Sequence, residues 1–211
     1  MTYIVIEGVI GVGKTALTRM LGEQFSVPTL FEQFEENPFL GKFYADREQY
    51  AFQTEVFFLL NRYRQQESVV KPALTGGDLV GDYLFAKTRL FAGLNLRGPE
   101  LGLFDEIYDA LARQVPAPNL VVYLTATVDT LMSRIYQRDR SIERAMQRSY
   151  IADLARLYDS FFDGYKDTPL LTIDTDSLDF MRSAASRQQV VSAILQAAGV
   201  DSLRSEGKDR S

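Results

Sequence analysis

The chain has 211 residues, 46% hydrophobic and 24% charged, with a formal net charge of −5; that make-up suits one globular domain with a well-buried core. The acidic balance argues against a nucleic-acid coat or a binder of anionic membranes, so neither is expected as a partner. Cysteine and histidine are both absent, which excludes disulfides, thiolate nucleophiles, zinc–sulfur sites and imidazole bases and leaves a carboxylate as the only general base.

The first apolar run, residues 3–7, leads into Gly8-Val9-Ile10-Gly11-Val12-Gly13-Lys14-Thr15, which is G-x-x-x-x-G-K-[ST] without a mismatch. A strand before it and an amphipathic helix after it, over 14–25 with Leu17, Met20, Leu21 and Phe25 on one face, give the context of a phosphate cradle. Backbone N–H groups of Gly8, Gly11, Val12 and Gly13 can turn inward around phosphate oxygens. Lys14 supplies a charge for the β- and γ-phosphates, and the Thr15 hydroxyl can ligate Mg²⁺. The expected ligand is therefore ATP with Mg²⁺.

A second apolar run at 28–31 ends beside Glu32, with Glu35 and Glu36 close behind. A carboxylate here could take the proton of an acceptor hydroxyl, or this could be a solvated acidic turn. The next helix is predicted over 49–67, with Phe52, Val56, Leu59, Leu60 and Tyr63 making it apolar on more than one side. The run at 79–82 ends in Asp82, which could hold Mg²⁺ directly or through water, or cap a helix opening at Tyr83-Leu84-Phe85. A helix over 99–114, a strand at 119–126, a helix over 143–165, a strand at 169–174 and a last helix over 181–198 complete the pattern. Five strands alternating with helices imply a parallel sheet covered on both faces, with ligands at the carboxyl ends of its strands, near Glu7, Glu32 and Asp82. Residues 1–200 read as a single domain and 201–211 as a polar tail. No basic n-region with a long apolar stretch opens the chain and no segment reaches membrane-span length, so a cytoplasmic location is expected.

Arg134, Arg138, Arg140, Arg144 and Arg148 fall within 15 residues of a net-acidic chain. Arg134 and Arg138 share a helix face, and their guanidinium forks suit phosphate oxygens and the charge of a transition state. An exposed basic helix paired with Asp139 and Glu143 is the structural alternative.

Taken together, these residues resemble the deoxynucleoside kinase family along about residues 1–180. Glu32-Gln33-Phe34 resembles the family's Glu-Pro-Val segment, whose glutamate acts as base on the 5′-hydroxyl, and Glu36-Asn37-Pro38-Phe39-Leu40 is similar to bacterial purine-preferring members. Tyr44 resembles the tyrosine that bonds the sugar 3′-hydroxyl, Phe52-Gln53-Thr54 the signature in which glutamine reads the base edge, and Phe91-Ala92 the pair whose phenylalanine stacks on the base. Arg134, Arg138 and Arg140 fall on the Arg-Ile-x-x-Arg-x-Arg lid, about residues 134–148. Glu143 falls on the lid glutamate that joins the tyrosine at the 3′-hydroxyl, and Phe180 on the segment closing over the donor's base.

The resemblance implies a P-loop nucleoside-kinase fold with a five-stranded parallel sheet and an arginine-rich lid, acting on a deoxynucleoside, purine rather than pyrimidine. It also implies a dimer, homo- or heterodimeric. Three departures stand out: the family's Glu/Asp-Arg-Ser reads Asp82-Tyr83-Leu84, the segment up to Phe91 is one residue short, and Glu32 lacks its following proline. Two other readings stay open. A thymidylate-kinase-like enzyme would need an acceptor-side arginine before Glu32, where Phe31 stands; a non-catalytic nucleotide-binding subunit would be consistent with Tyr83.

Overall fold

The computed structural model describes residues 1–144, 146–176 and 178–204; most of the predicted polar tail, 205–211, lies outside the described residues. Five strands form one parallel sheet: β1 (Tyr3–Gly8), β2 (Thr29–Leu30), β3 (Leu79–Gly81), β4 (Leu120–Thr125) and β5 (Leu170–Asp174), in the order β2-β3-β1-β4-β5. β1 is central, with Ile4 opposite Val80 on one side and Leu120 on the other. Its residues are buried on both faces, as a parallel sheet between helical layers requires. The chain after β1 crosses to one side of the sheet and the chain after β3 to the other, so a crevice opens at their carboxyl ends.

The helices are α1 (Lys14–Phe25), α2 (Leu40–Ala45), α3 (Arg47–Gln65), α4 (Lys71–Gly76), α5 (Lys87–Asn95), α6 (Gly98–Ala112), α7 (Val128–Arg138), α8 (Arg148–Asp163) and α9 (Ala184–Ala198). All five predicted strands form where expected. The expected helix over 143–165 starts later, at Arg148, because α7 stops at Asp139, whose left-handed backbone (φ 46°, ψ 44°) ends it. A short 3-10 turn, Ser141–Glu143, follows and carries Glu143. The last helix likewise begins at Ala184, where the Ser183 side chain accepts from the Ser186 N–H. α2 and α4 were not anticipated, and the helix offered as an alternative from Tyr83 opens four residues later as α5. Asp82 caps no helix, since α5 opens at Lys87.

α3 departs most from its sequence pattern. Its buried residues include Thr54, Glu55, Arg62 and Gln65, while the apolar Leu60 is 42% exposed. The helix turns its polar stripe inward over the crevice. A wide π-turn, Gln66–Val70, joins it to α4.

Glu7 is fully buried in β1 and fully used by the fold. Its carboxylate accepts from the Gly8 and Leu84 N–H groups and from the Tyr158 hydroxyl, at 2.8, 2.7 and 3.1 Å. It fastens the start of the phosphate loop to the β3–α5 connection and to α8, and it lines no cavity beside that loop among the described residues.

Candidate active site

The phosphate loop folds as its glycines dictate. Gly11 and Gly13 have φ of 89° and 113°, and a Cβ at Gly11 would lie 2.9 Å from the Leu131 carbonyl oxygen. Side chains at either position would strain the loop or displace α7. Gly13 precedes α1, whose first amide groups and dipole face the loop. Lys14 Nζ donates to the Gly8 and Val9 carbonyls, at 2.7 and 3.2 Å. Burial, then the neighbouring Lys87, lower its pKa to about 8.

The loop separates two hollows. On one side, toward β2 and α3, lies a cavity of about 140 Å³ lined by Lys14, Thr15, Glu32, Tyr44, Asp82, Phe91, Arg138, Arg140 and Glu143, with Phe34, Thr54, Glu55, Phe58, Arg62, Lys87 and Tyr150 among its other walls. On the donor side, a cleft is lined by Gly11, Gly13, Lys14, Thr15, Arg134, Arg138 and Arg140. The two share Gly11 and the side chains of Lys14, Thr15, Arg138 and Arg140. A group held in one hollow therefore meets a group held in the other at these four side chains. Phe180 closes the donor side, its ring against Gly13 and its neighbours around Val12 and Arg134.

Glu32 sits where the hollows approach each other. Its Oε1 accepts from Nε and a terminal nitrogen of Arg62, and its Oε2 from Lys87 Nζ at 2.7 Å. Burial alone would push this carboxyl up; Lys87 and then Arg62 outweigh it and hold it well below the usual carboxylate range. Glu35 is exposed and does not line the cavity.

The sequence offers Lys87, with Ala86 and Thr88, only as an occupant of the position shifted by the one-residue deletion; its contact with Glu32 was not anticipated. Tyr83 is fully buried elsewhere, its hydroxyl donating to Gln65 and accepting from Gln66. Of the two cations facing Glu32, one is Lys87, the first residue of α5, and the other is Arg62 on α3. A lysine beside a one-residue deletion gave no sequence signal of this.

Asp82 binds Thr15 and Glu32 together: the Thr15 hydroxyl donates to Oδ2 at 2.7 Å and the Glu32 N–H to Oδ1 at 2.8 Å. One hydroxyl and one carboxylate under a phosphate loop fit Mg²⁺, which keeps waters and takes its other ligands from phosphate. Among the described residues no cluster of three or more acidic side chains forms an all-protein metal cage.

The lid arginines differ. Arg134 donates to the Val12 carbonyl at 3.2 Å and to the Thr175 hydroxyl and carbonyl at 2.9 and 2.8 Å, so it buckles α7 to the phosphate loop and to the end of β5. Arg138 forks onto both oxygens of Glu143, at 2.7 and 2.6 Å. Arg140 lies 3.7 Å from Glu143 and over the Phe34 ring. Tyr44 lies close enough to Glu143 and Tyr150 for their charges to help burial raise its pKa.

Two expected base contacts are not in the cavity. Gln53 is exposed and Phe52 packs against the core from outside, because α3 presents Thr54, Glu55, Phe58 and Arg62 to the cavity instead. Those four residues recur at helical spacing, so the inward stripe was readable once the helix's polar face was taken as the buried one.

The deoxynucleoside kinase family model matches residues 4–198. A deoxyguanosine kinase of Bacillus subtilis (strain 168) is 34% identical over 197 residues, covering 91% of this chain and 95% of its own. A deoxyadenosine/deoxycytidine kinase of the same organism is 27% identical over 92% of this chain and 91% of its own. The solved structure of a deoxyadenosine kinase from M. mycoides with bound dATP superposes with a TM-score of 0.79 at 21% identity, over 93% of this chain and all of that one, and so has the same fold. A chain that carries the phosphate loop, the adjoining cavity and this match over nearly its whole length belongs to the deoxynucleoside kinase family.

Proposed function

We propose that residues 1–200 form one kinase domain that moves the γ-phosphate of ATP to the 5′-hydroxyl of a purine deoxynucleoside, with Glu32 as the group that receives the hydroxyl proton. The observation that carries this reading is the position of Glu32, half-buried at the junction of the acceptor cavity and the phosphate loop, with Asp82 bridging it to Thr15. Each Glu32 oxygen already accepts from a cation, yet a carboxylate has about four lone-pair sites, which leaves room for one more donor. Arg62 and Lys87 keep it ionised and fix its plane. Its work is to align the hydroxyl, since positioning and charge neutralisation dominate phosphoryl transfer.

Backbone N–H groups at Gly8, Gly11, Val12 and Gly13 hold the donor's phosphates, with Lys14 at the transferring group and Phe180 beside the donor's base. Thr15 and Asp82 hold Mg²⁺, which when bound neutralises charge on the β- and γ-phosphates. Arg138 and Arg140 line both hollows and can turn from Glu143 onto the moving phosphoryl group, while Arg134 anchors the lid. Tyr44 and Glu143 hold the 3′-hydroxyl, and Phe91 supports the base. Closure of the lid excludes water and limits wasteful hydrolysis of ATP.

The names of the relatives support a purine acceptor. Exposed apolar side chains on α3 and α6, Leu60 at 42% and Leu103 at 49%, support a homodimer assembled through those helices. No helix among the described residues is long and apolar enough to cross a membrane, and the cytoplasm, where ATP is made available to kinases, is the proposed location.

The test is ADP release from Mg·ATP with deoxyadenosine, deoxyguanosine, deoxycytidine, thymidine and thymidylate as acceptors. Turnover on a purine deoxynucleoside and none on thymidylate is expected. Turnover on thymidylate alone would overturn the proposal, and ATP binding with no turnover on any acceptor would favour a non-catalytic subunit.

A further inference from the structure

One charged group in the cavity takes no part in the transfer just described. Glu55 is 2% exposed and lies on the cavity-facing stripe of α3. Its Oε1 accepts from Asn95 Nδ2 at 2.7 Å. Its Oε2 is buried with no hydrogen-bond partner among the described residues, and so is the neighbouring Thr54 hydroxyl. Arg62 does not satisfy it, because its Nε and both terminal nitrogens are committed to Glu32 and to Thr88. A buried carboxylate oxygen left unpaired destabilises a fold unless something arrives to pair it.

We propose, on the reading of this cavity as a deoxynucleoside site, that the Glu55 carboxylate reads the Watson–Crick edge of guanine, accepting from N1–H and the N2 amino group, and so makes deoxyguanosine the preferred acceptor. An ionised carboxylate only accepts hydrogen bonds. Guanine alone among the four bases offers two adjacent donors on that edge. Adenine and cytosine each place a ring nitrogen acceptor beside a single amino donor, which would set a lone pair against the carboxylate. Thymine offers one N–H between two carbonyls.

Asn95 holds the carboxylate plane by one oxygen and leaves the other free for the base. Arg62 shares the stripe, and although its nitrogens bond Glu32 and Thr88, its positive charge on the same wall has the sign that suits the guanine O6. Phe58 and Phe91 line the same cavity and give the ring apolar walls.

The test compares wild type and Glu55→Gln by kcat/KM for deoxyguanosine and deoxyadenosine, with calorimetric binding of each nucleoside alongside. A glutamine amide has one acceptor and one donor and matches the adenine edge. Wild type is expected to favour deoxyguanosine by about 100-fold or more, as sites built on buried hydrogen bonds do. In Glu55→Gln that ratio is expected to fall by roughly the same factor, with deoxyadenosine gaining in absolute terms.

A wild type that prefers deoxyadenosine or deoxycytidine, or a ratio unchanged in Glu55→Gln, would overturn the assignment. Loss of turnover with every deoxynucleoside would count against the phosphotransferase reading instead. In that event deoxyguanosine binding that depends on Glu55 still supports the contact, and equal binding of both purines overturns it.

Discussion

If Glu55 is buried and unpaired as described, its ionisation should oppose folding, and that can be measured without any substrate. Burial raises its pKa from 4.5 to about 7; the hydrogen bond from Asn95 and the charge of Arg62 offset this only in part. The folded chain then holds the proton more tightly than the unfolded chain. The resulting stabilisation is complete below the unfolded pKa of 4.5 and is lost as pH rises through about 7. A gap of that size at about 1.4 kcal/mol per unit amounts to about 3 kcal/mol. Glu55→Gln keeps an acceptor for Asn95 and does not titrate.

The stability difference between variant and wild type should therefore grow in the variant's favour by about 3 kcal/mol between roughly pH 4.5 and pH 8.5. In a chain of this length that is a relative rise in Tm of roughly 6–12 °C. Paired thermal melts across this range, followed by circular dichroism, give the answer. A difference that stays flat with pH would refute the buried, unpaired carboxylate.

Other outcomes follow from the same geometry. Glu32→Gln should lose about 10²–10⁴-fold in kcat while nucleoside affinity stays within a few fold, read by steady-state kinetics and calorimetry; full activity would remove Glu32 as the proton acceptor. Lys14 titrates at about 8 in the free enzyme, so the apparent affinity for ATP should weaken above that pH, and Lys87→Met, which removes the nearest like charge, should move the midpoint upward. Arg138→Ala should cut the rate of transfer more than nucleoside binding; if rate and ATP affinity both stayed unchanged, the lid would have no part in transfer.

Where sequence pattern and structure agree, one physical signal controlled the outcome. β1 and β4 are continuous β-branched and apolar runs, as strands of a parallel sheet buried on both faces are. The loop from Gly8 to Thr15 needs positive φ at its glycines, so its residue types reveal its shape. α3 could not be read this way. It is apolar on more than one side, so periodicity did not say which face meets the core; the fold buries Leu59 together with Thr54, Glu55 and Arg62 and leaves Leu60 outside. The expected base contact, Gln53, came from the resemblance of Phe52-Gln53-Thr54 to the family signature, and the fold leaves that side chain exposed.

Lys87 was hidden for a different reason. Its partner Glu32 is 55 residues away, and only the crossover from β3 to α5 brings the two together. The pairing of Arg138 with Glu143, and of Arg144 with Asp139, is the structural alternative that the sequence offered for the arginine cluster; what periodicity missed is the break before Glu143, where Asp139 turns the chain left-handed.

The most direct test of the account is the fate of the γ-phosphate itself. Wild-type protein is incubated with Mg²⁺, deoxyguanosine and ATP labelled in the γ-phosphate, and the products are resolved by chromatography and phosphorus NMR. The account predicts label on the 5′-oxygen of deoxyguanosine, in amounts matching the ADP formed, with Glu32→Gln forming it far more slowly. Label released as inorganic phosphate alone, or placed on the 3′-oxygen, would contradict it.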